Sequence, residues 1–309
     1  MSEQKQEMRD YVLPFQVGEH AIRGQVVCLD RVAETILSRH QFPDPLSMLV
    51  GEAAALVSML GAALKFDGRF ILQAQGDGPV SMIVADYATT NRAVRATAKI
   101  SNGKEDKIAK AKGPEFLHLL GKGHLCMSID RGPDFDLYQG ITDLRGATLS
   151  EAAIRYFTQS EQIPTMIKLA VGKLSLPGQE AMRWRAGGIL VQFIPAEGGA
   201  RDRGEAELQR EEDKEAWARA EAFVATVAAD ELLDPSLSSE DLLYRLFHED
   251  GVRVFDKTPI GFECTCSREK IAGVLDRYSD HDLKDMVEDG HIAVTCDFCR
   301  EEYKFPVKS

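Results

Sequence analysis

The chain has 309 residues, and its 49 acidic and 37 basic side chains give a formal net charge of −12, which argues against a protein that chiefly binds nucleic acid. The longest apolar stretch, residues 53–64, is too short to span a bilayer, and the N-terminus lacks a secretory signal, so we expect a cytoplasmic protein without membrane association. The length indicates roughly two domains at about 150 residues each, and 44% hydrophobic residues suffice for a sizeable core.

Residues 1–196 are predicted to form an α+β core domain. One helix should begin with Asp44 as N-cap and Pro45 in the first position, and should end near residue 65. Thr148 and Glu151 form a capping box for another helix that ends at residue 157, and a short helix is predicted at 116–120. Strands in hairpin order favour α+β over a doubly wound parallel sheet. The predicted strands are 11–17, 22–29, 70–75, 80–87, 93–100, 125–129, 135–141, 166–171 and 188–194.

Two of the six cysteines lie alone in this domain. Cys28 falls within the predicted strand 22–29, and Cys126 falls within 125–129. An isolated free cysteine in a strand behaves as a small hydrophobic residue. We therefore expect both to be buried core residues.

Residues 197–252 are predicted to form an acidic helical linker. From 201 to 250 there are 15 acidic and 6 basic residues, a net charge of −9 out of the total of −12. Apolar residues recur there with helical spacing, and Ser238 with Asp241 forms a capping box before a second apolar run at 242–247. Such a helix can be an ordinary solvated spacer, or it can pack on the core domain by one narrow apolar stripe. The stripe we expect to pack consists of Trp217, Phe223, Val224 and Val227.

Residues 253–309 are predicted to form a small third region. Strands are expected at 252–255, 262–266, 292–296 and 303–305, with helices at 268–275 and 280–288. Ser267 and Ser279 are the expected N-caps, and Gly290 is the expected residue after the second helix. A unit of this size cannot build a robust apolar core alone, and a structural metal is the usual remedy.

The remaining four cysteines supply ligands for such a metal. Cys264 and Cys266 form a C-x-C pair, and Cys296 and Cys299 form a C-x-x-C pair. Two close pairs separated by a helical insert can converge on one tetrahedral ion, and four thiolates favour zinc over iron. The set is complete without His281 or His291, so we expect one Zn²⁺ per chain bound by the four cysteines alone.

The same four sulfurs allow redox chemistry. Zinc holds cysteines as thiolates, which are the nucleophilic form, and a disulfide removes two ligands at once. Loss of the metal would then unfold the region that it stabilises. A permanently reduced structural zinc site remains the alternative, and four cysteines allow three disulfide pairings.

Several segments resemble one known family. FECTCS at 262–267, VTCDFC at 294–299 and EYKF at 302–305 are similar to the zinc-switch domain of the redox-regulated 33 kDa chaperonins, which are heat-shock holdases. YQGITDLRGATLSEAAIRYFTQSEQIPT at 138–165 and LLYRLFHEDGVRVF at 242–255 resemble the same family in the same order.

The resemblance implies a chaperone rather than an enzyme, inactive when reduced and zinc-loaded. Oxidation would form the disulfides Cys264–Cys266 and Cys296–Cys299 and release zinc. The switch region and the linker would then unfold, and the protein would form a homodimer that binds unfolding client proteins. No P-loop sequence G-x-x-x-x-G-K-[ST] is present, which fits an activity independent of ATP.

Two other classes stay open at this point. A zinc ribbon that binds nucleic acid would use Arg300, Lys304 and Lys308, although Glu301 and Glu302 lie beside them. A thiol–disulfide oxidoreductase would use Cys296-Asp-Phe-Cys299, although this sequence does not follow a strand of a βαβ unit.

Overall fold

The computed structural model describes residues 10–19, 21–112, 116–175, 181–194, 211–288 and 290–306. The predicted start of the acidic linker, including residues 201–210, lies outside the described residues, as do residues 307–309. The chain divides into two compact units, one ending at Phe262 and the other beginning at Glu263.

The first unit has two six-stranded sheets. Its strands are β1 (Tyr11–Val17), β2 (Ile22–Leu29), β3 (Arg69–Gly76), β4 (Val80–Ala88), β5 (Ala93–Ile100), β6 (Gly123–Asp130), β7 (Tyr138–Asp143), β8 (Thr165–Leu174), β9 (Arg183–Phe193), β10 (Val252–Val254), β11 (Thr258–Pro259) and β12 (Gly261–Phe262). The first sheet has the order β10-β1-β2-β9-β8, with β11 also paired to β1, and all of its pairings are antiparallel. The second has the order β12-β5-β4-β3-β6-β7, in which only the β12–β5 pairing is parallel.

Helices cover the faces of these sheets and supply part of the second unit. In chain order they are α1 (Arg31–His40), α2 (Asp44–Ala62), α3 (Glu105–Ala109), α4 (Leu149–Tyr156), α5 (Glu211–Thr226), α6 (Ala229–Leu233), α7 (Ser239–Phe247), α8 (Arg268–Leu275) and α9 (Asp280–Asp285). A 3-10 turn spans Phe116–Leu120, and a π turn spans Phe157–Glu161 directly after α4. The α+β class predicted from the sequence is confirmed.

Helix α2 lies between the two sheets and is apolar on nearly every side. It approaches β4 so closely that a Cβ at Gly61 would lie 2.3 Å from the ring of Tyr87. Among the described helices, it alone is long and apolar enough to cross a bilayer, but 83% of its apolar window is buried inside the unit. A core position between two sheets therefore accounts for its composition.

Several predicted bounds need correction. Pro43 occupies the N-cap position of α2, so Asp44 and Pro45 are its first two helical residues. Helix α1 was not predicted, and Asp30 before it makes no side-chain capping bond. Strand β7 begins at Tyr138 rather than at residue 135. The predicted strand 262–266 ends at Phe262, and α9 ends at Asp285 rather than at residue 288.

Two local motifs also differ from the prediction. Thr148 accepts the N–H of Glu151 as expected, but the Glu151 carboxylate accepts the N–H of Ala147 instead of closing the box on Thr148. Gly290 follows a short strand and not the helix, and its φ of +78° is the left-handed conformation that glycine adopts readily in a turn.

Candidate metal centre and linker surface

The second unit positions the C-x-x-C pair on a hairpin. Its sheet consists of β13 (Val287–Glu288), β14 (His291–Thr295) and β15 (Glu302–Pro306) in antiparallel order. Cys296 follows β14 at once, its N–H donates to the carbonyl of Glu301 at 2.9 Å, and its carbonyl accepts the N–H of Arg300 at 2.9 Å. Arg300 has a φ of +60°, which turns the chain back into β15. The turn thus holds Cys296 and Cys299 on one side of the hairpin end.

The C-x-C pair lies in the extended segment before α8. Ser267 caps that helix, because its side chain accepts the N–H of Lys270 as the sequence predicted. The sulfur of Cys264 lies 3.6 Å from that of Cys296, and the sulfur of Cys266 lies 3.4 Å from that of Cys299. All four sulfur atoms lie within 4.8 Å of one another. Each of these two short contacts joins one pair to the other.

Neither candidate histidine belongs to this cluster. His281 is exposed and lies 3.5 Å from the carboxylate of Asp285, and His291 is the first residue of β14. Within the described part of the chain, the only group of potential ligands this close together consists of the four cysteines. The donor set is compatible with a metal ion and consists of sulfur alone, which is the set that zinc accepts most readily.

The electrostatics of the cluster favour a cation at its centre. Burial raises the pKa of the Cys299 thiol, and the neighbouring sulfurs raise this pKa further. A hydrogen bond with the Cys266 sulfur, at 3.2 Å, likewise raises the pKa of the Tyr303 hydroxyl. Four thiols this close cannot all ionise unless a cation compensates their charge. A bound dication supplies that compensation and deprotonates coordinating thiols.

The second unit has little other stabilisation. Among its described apolar residues only Ile292 and Cys299 are buried, and α8 buries none. Val274 is 52% exposed on α8. A unit with so small a core depends on a crosslink or a metal for its fold.

In the first unit, the linker helices cover one face of the first sheet. Trp217, Val224 and Val227 are buried in a second apolar core, and Phe223 packs partly buried at its margin. This core is formed between α5, α6, α7 and the face of the first sheet that points away from α2. The structure therefore places the four predicted stripe residues together on the sheet, and their role in regulation stays a prediction.

Polar contacts that the sequence did not suggest also hold the linker helices, one to the first sheet and one within the linker itself. The hydroxyls of Tyr11 and Ser239 lie 2.9 Å apart in a buried position, and Arg219 pairs with Asp250 at 2.8 Å. A Cβ at Gly187 of β9 would lie 2.4 Å from a carbonyl oxygen of α6, so the absence of a side chain lets the helix lie against the strand. These contacts join residues far apart in the chain, and no local motif marks them.

Both isolated cysteines are buried, as predicted. Cys28 is 4% exposed, with an Arg185 guanidinium nitrogen 2.9 Å from its sulfur. Cys126 is 7% exposed, with the Ser128 hydroxyl 3.4 Å from its sulfur. Neither belongs to the four-sulfur cluster.

Comparison with known proteins gives a consistent result. A family model described as "Hsp33 protein" matches residues 10–306. The chain is 44% identical over 299 residues to a 33 kDa chaperonin of Caulobacter vibrioides strain NA1000, covering 96% of this chain and 94% of that protein. It is 35% identical over 298 residues to a 33 kDa chaperonin of Pseudomonas putida strain KT2440, covering 96% and 90%.

A solved structure shares the fold. The crystal structure of a 33 kDa chaperonin, a heat shock protein 33 homolog from Thermotoga maritima, aligns with a TM-score of 0.74 at 24% identity. The alignment covers 96% of this chain and 94% of the other.

Proposed function

The chain belongs to the Hsp33 family of chaperones, and we propose that it is an ATP-independent holdase controlled by oxidation of its four clustered cysteines. The observation that carries the proposal is the approach of Cys264, Cys266, Cys296 and Cys299 within 4.8 Å, in a unit whose described residues include almost no other buried apolar side chain. We assign three functional regions: core 1–196, linker 197–252 and switch 253–309.

In the reduced state the four thiolates would hold one Zn²⁺ per chain. The ion, when bound, compensates the charge of the four sulfurs and crosslinks the C-x-C segment to the hairpin. Its contribution to folding is on the order of 10 kcal/mol for small zinc units. Because the second unit has so little buried apolar surface, its fold would depend on this crosslink.

Oxidation would remove the ligands in pairs. Each disulfide forms by joining two sulfurs, with two electrons passing to an oxidant such as hydrogen peroxide, which is reduced to water. Family membership supports the pairs Cys264–Cys266 and Cys296–Cys299. In the reduced geometry the sulfur–sulfur distances of 3.6 and 3.4 Å each join a cysteine of one pair to a cysteine of the other. Peptide mapping of the oxidised protein therefore has to establish which disulfides form.

The surface exposed by oxidation would bind clients. The face of the first sheet beneath α5, α6 and α7 is lined by buried apolar residues, including Leu13, Phe15 and Val191. If the linker detaches, this face and the stripe become a contiguous apolar patch, the kind of surface that binds partners. We propose that it holds unfolding proteins and contributes to a homodimer of the oxidised protein in the cytoplasm, without nucleic acid or membrane.

One experiment tests the proposal as a whole. Zinc content is measured before and after peroxide treatment, alongside suppression of the aggregation of a heat-unfolded client. We expect about one zinc per chain with little suppression before oxidation, and zinc loss with strong suppression after it. Suppression that is equal in both states, or zinc that stays bound through activation, would contradict the proposed mechanism.

Two further assays separate the other classes. A zinc ribbon acting on nucleic acid would give filter binding that persists above roughly physiological salt. An oxidoreductase would turn over a disulfide substrate repeatedly at Cys296 and Cys299. We expect neither signal from the reduced or the oxidised protein.

A further inference from the structure

Residues 250–259 form a strap that begins at the end of the linker and follows the edge of β1 opposite β2. Two of its parts, β10 and β11, pair antiparallel with β1 along this edge. The N–H of Gly18 also donates to the carbonyl of Gly251 at 2.7 Å, and the N–H of Phe255 donates to the carbonyl of Pro14 at 3.0 Å. Backbone hydrogen bonds therefore fasten the strap along nearly the whole length of β1.

The strap carries two charged side chains that each hold a different linker helix. Arg219 of α5 donates from Nε and Nη2 to one carboxylate oxygen of Asp250, at 3.2 and 2.8 Å. Further along the strap, the Nζ of Lys257 lies 2.7 Å from a carboxylate oxygen of Glu240 in α7. The strap thus contacts α5 through an anion near one end and α7 through a cation near the other.

Lys257 has a second contact that brings β1 into the same group. Its Nζ lies 4.5 Å from the centre of the Tyr11 ring, which is a cation–π geometry. The Tyr11 hydroxyl lies 2.9 Å from the hydroxyl of Ser239, the residue before Glu240. The first turn of α7, the strap and β1 therefore meet around one lysine side chain.

Burial makes these ion pairs more than a solvated surface feature. An exposed ion pair taken alone stabilises a protein only slightly. The side chain of Asp250, however, is only 15% exposed, so the loss of Arg219 would leave a partly desolvated carboxylate without its cation. The two pairs also have opposite polarity, so each strap charge attracts only one of the two helices.

We propose that Asp250 and Lys257 are positioning residues through which the strap holds both linker helices on the first sheet. Opening of β10 and β11 would remove the two ion pairs together, because both depend on the same backbone pairings. The dependence is reciprocal by linkage: what the strap contributes to the docking of the helices, the docked helices contribute to the strap. The inference rests on the proposed function and deepens it, since it names residues outside the cysteine cluster that would set when the linker leaves.

Hydrogen exchange on the full-length, reduced, zinc-loaded chain tests the coupling. Lys257→Met should speed exchange of the α7 amides, residues 239–247, about three- to tenfold, because the ion pair and the cation–π contact are both lost. Lys257→Arg keeps the charge and should stay close to the unsubstituted protein. Unchanged exchange of α7 in Lys257→Met would overturn the proposal.

The reciprocal variant separates coupling from local loosening. Glu240→Gln changes only the helix, yet it should speed exchange of the strap amides at residues 252–258. The matched control is Arg245→Met, which removes the 3.6 Å ion pair with Glu231 inside the linker and should leave those strap amides within about twofold. Strap exchange that ignores Glu240→Gln, or that responds equally to Arg245→Met, would contradict a specific coupling.

A charge exchange completes the test. Lys257→Glu and Glu240→Lys each place like charges together and should loosen α7 and the strap. The double variant restores an opposite pair and should exchange more slowly than either single variant. A double variant no slower than the singles would show that the pair does not couple the two elements. None of these measurements uses oxidant or client, so their failure would leave the proposed holdase untouched, and failure of the holdase assay would leave them readable.

Discussion

The rings of Phe223 and Phe247 lie with their centroids 6.2 Å apart, edge to face, and join α5 to α7 above the first sheet. Phe247 also lies 5.8 Å from Phe15 of β1, so the three rings connect the linker to the sheet. Phe247 is fully buried, whereas Phe223 sits at the margin of this core. Phe223 is therefore a position where a change can weaken the linker without disrupting the sheet.

Phe223→Asp should give a holdase that is active in the reduced, zinc-loaded state. A carboxylate at the margin of this apolar core would lose hydration when the linker packs, and it therefore disfavours the packed linker. Hydrogen exchange over residues 211–250 should show lost protection in the variant, as in the oxidised protein. Client protection by the reduced variant is the activity readout, and Phe223→Leu is the matched control.

Equal hydrogen-exchange protection of the linker in the reduced and the oxidised protein would contradict this account. The linker would then be a passive spacer, and the client surface would lie elsewhere.

Cys266→Ser or Cys299→Ser should release the metal. Each variant removes one of four thiolates and leaves an incomplete tetrahedral site. Residues 263–306 should then lose hydrogen-exchange protection, while the two sheets of the first unit keep theirs. A chelator should act in the same way on the unsubstituted protein. Full zinc occupancy in either variant, measured by elemental analysis, would show that these cysteines are not the ligands.

Replacing Cys28 or Cys126 with Ala should leave oxidative activation intact. Both sulfurs are buried away from the cluster, so each change should cost at most a few kcal/mol of unfolding free energy from lost packing. Peroxide-induced zinc release and client protection are the measurements. Loss of switching in a well-folded Cys28→Ala variant would extend the redox chemistry beyond the four C-terminal cysteines.

Stability should fall as pH rises because of Glu52 in α2. Burial raises the pKa of its carboxyl from 4.5 to about 8. Between these values the unfolded chain releases a proton that the folded chain keeps, so unfolding becomes more favourable with increasing pH. Glu52→Gln should flatten this dependence and raise the unfolding free energy at pH 7.5 by about 1–3 kcal/mol. Urea unfolding at a series of pH values measures it, and an identical pH slope in the variant would refute the assignment.

Local sequence patterns predicted the bounds of an element correctly where the signals lie within or next to that element. Strands β1 and β2 have the predicted bounds because alternating apolar residues between turn signals mark both ends. Helix α8 also has its predicted bounds because Ser267 caps it. Helix α1 follows β2 with no local capping residue, because the carboxylate of the distant Asp10 accepts the N–H groups of Arg31 and Val32. Its four buried residues were therefore not recognised as a separate element.

Contacts between distant residues could not be predicted in this way. The C-x-C and C-x-x-C spacing indicated the cluster, but the 3.2 Å contact of Tyr303 with Cys266 depends on how β15 lies beside the extended segment. The pairing of Tyr11 with Ser239 depends likewise on the packing of α7 against β1. Strands β11 and β12 have two residues each, too few for any periodicity to be visible.

The short strands just before the second unit influence the order in which metal loss and release of the linker would occur. β10 and β11 are hydrogen-bonded to β1, and β12 is hydrogen-bonded to β5, so residues 252–262 are attached to both sheets of the first unit. Unfolding of the second unit therefore does not pull directly on the linker helices, since this attached segment lies between them in the chain. Metal loss would come first, and the linker helices would detach only after the strand pairings of residues 252–262 had opened as well. A brief oxidant pulse that is reversed before those pairings open would leave the linker in place, so we expect residues 252–262 to delay linker release relative to metal loss.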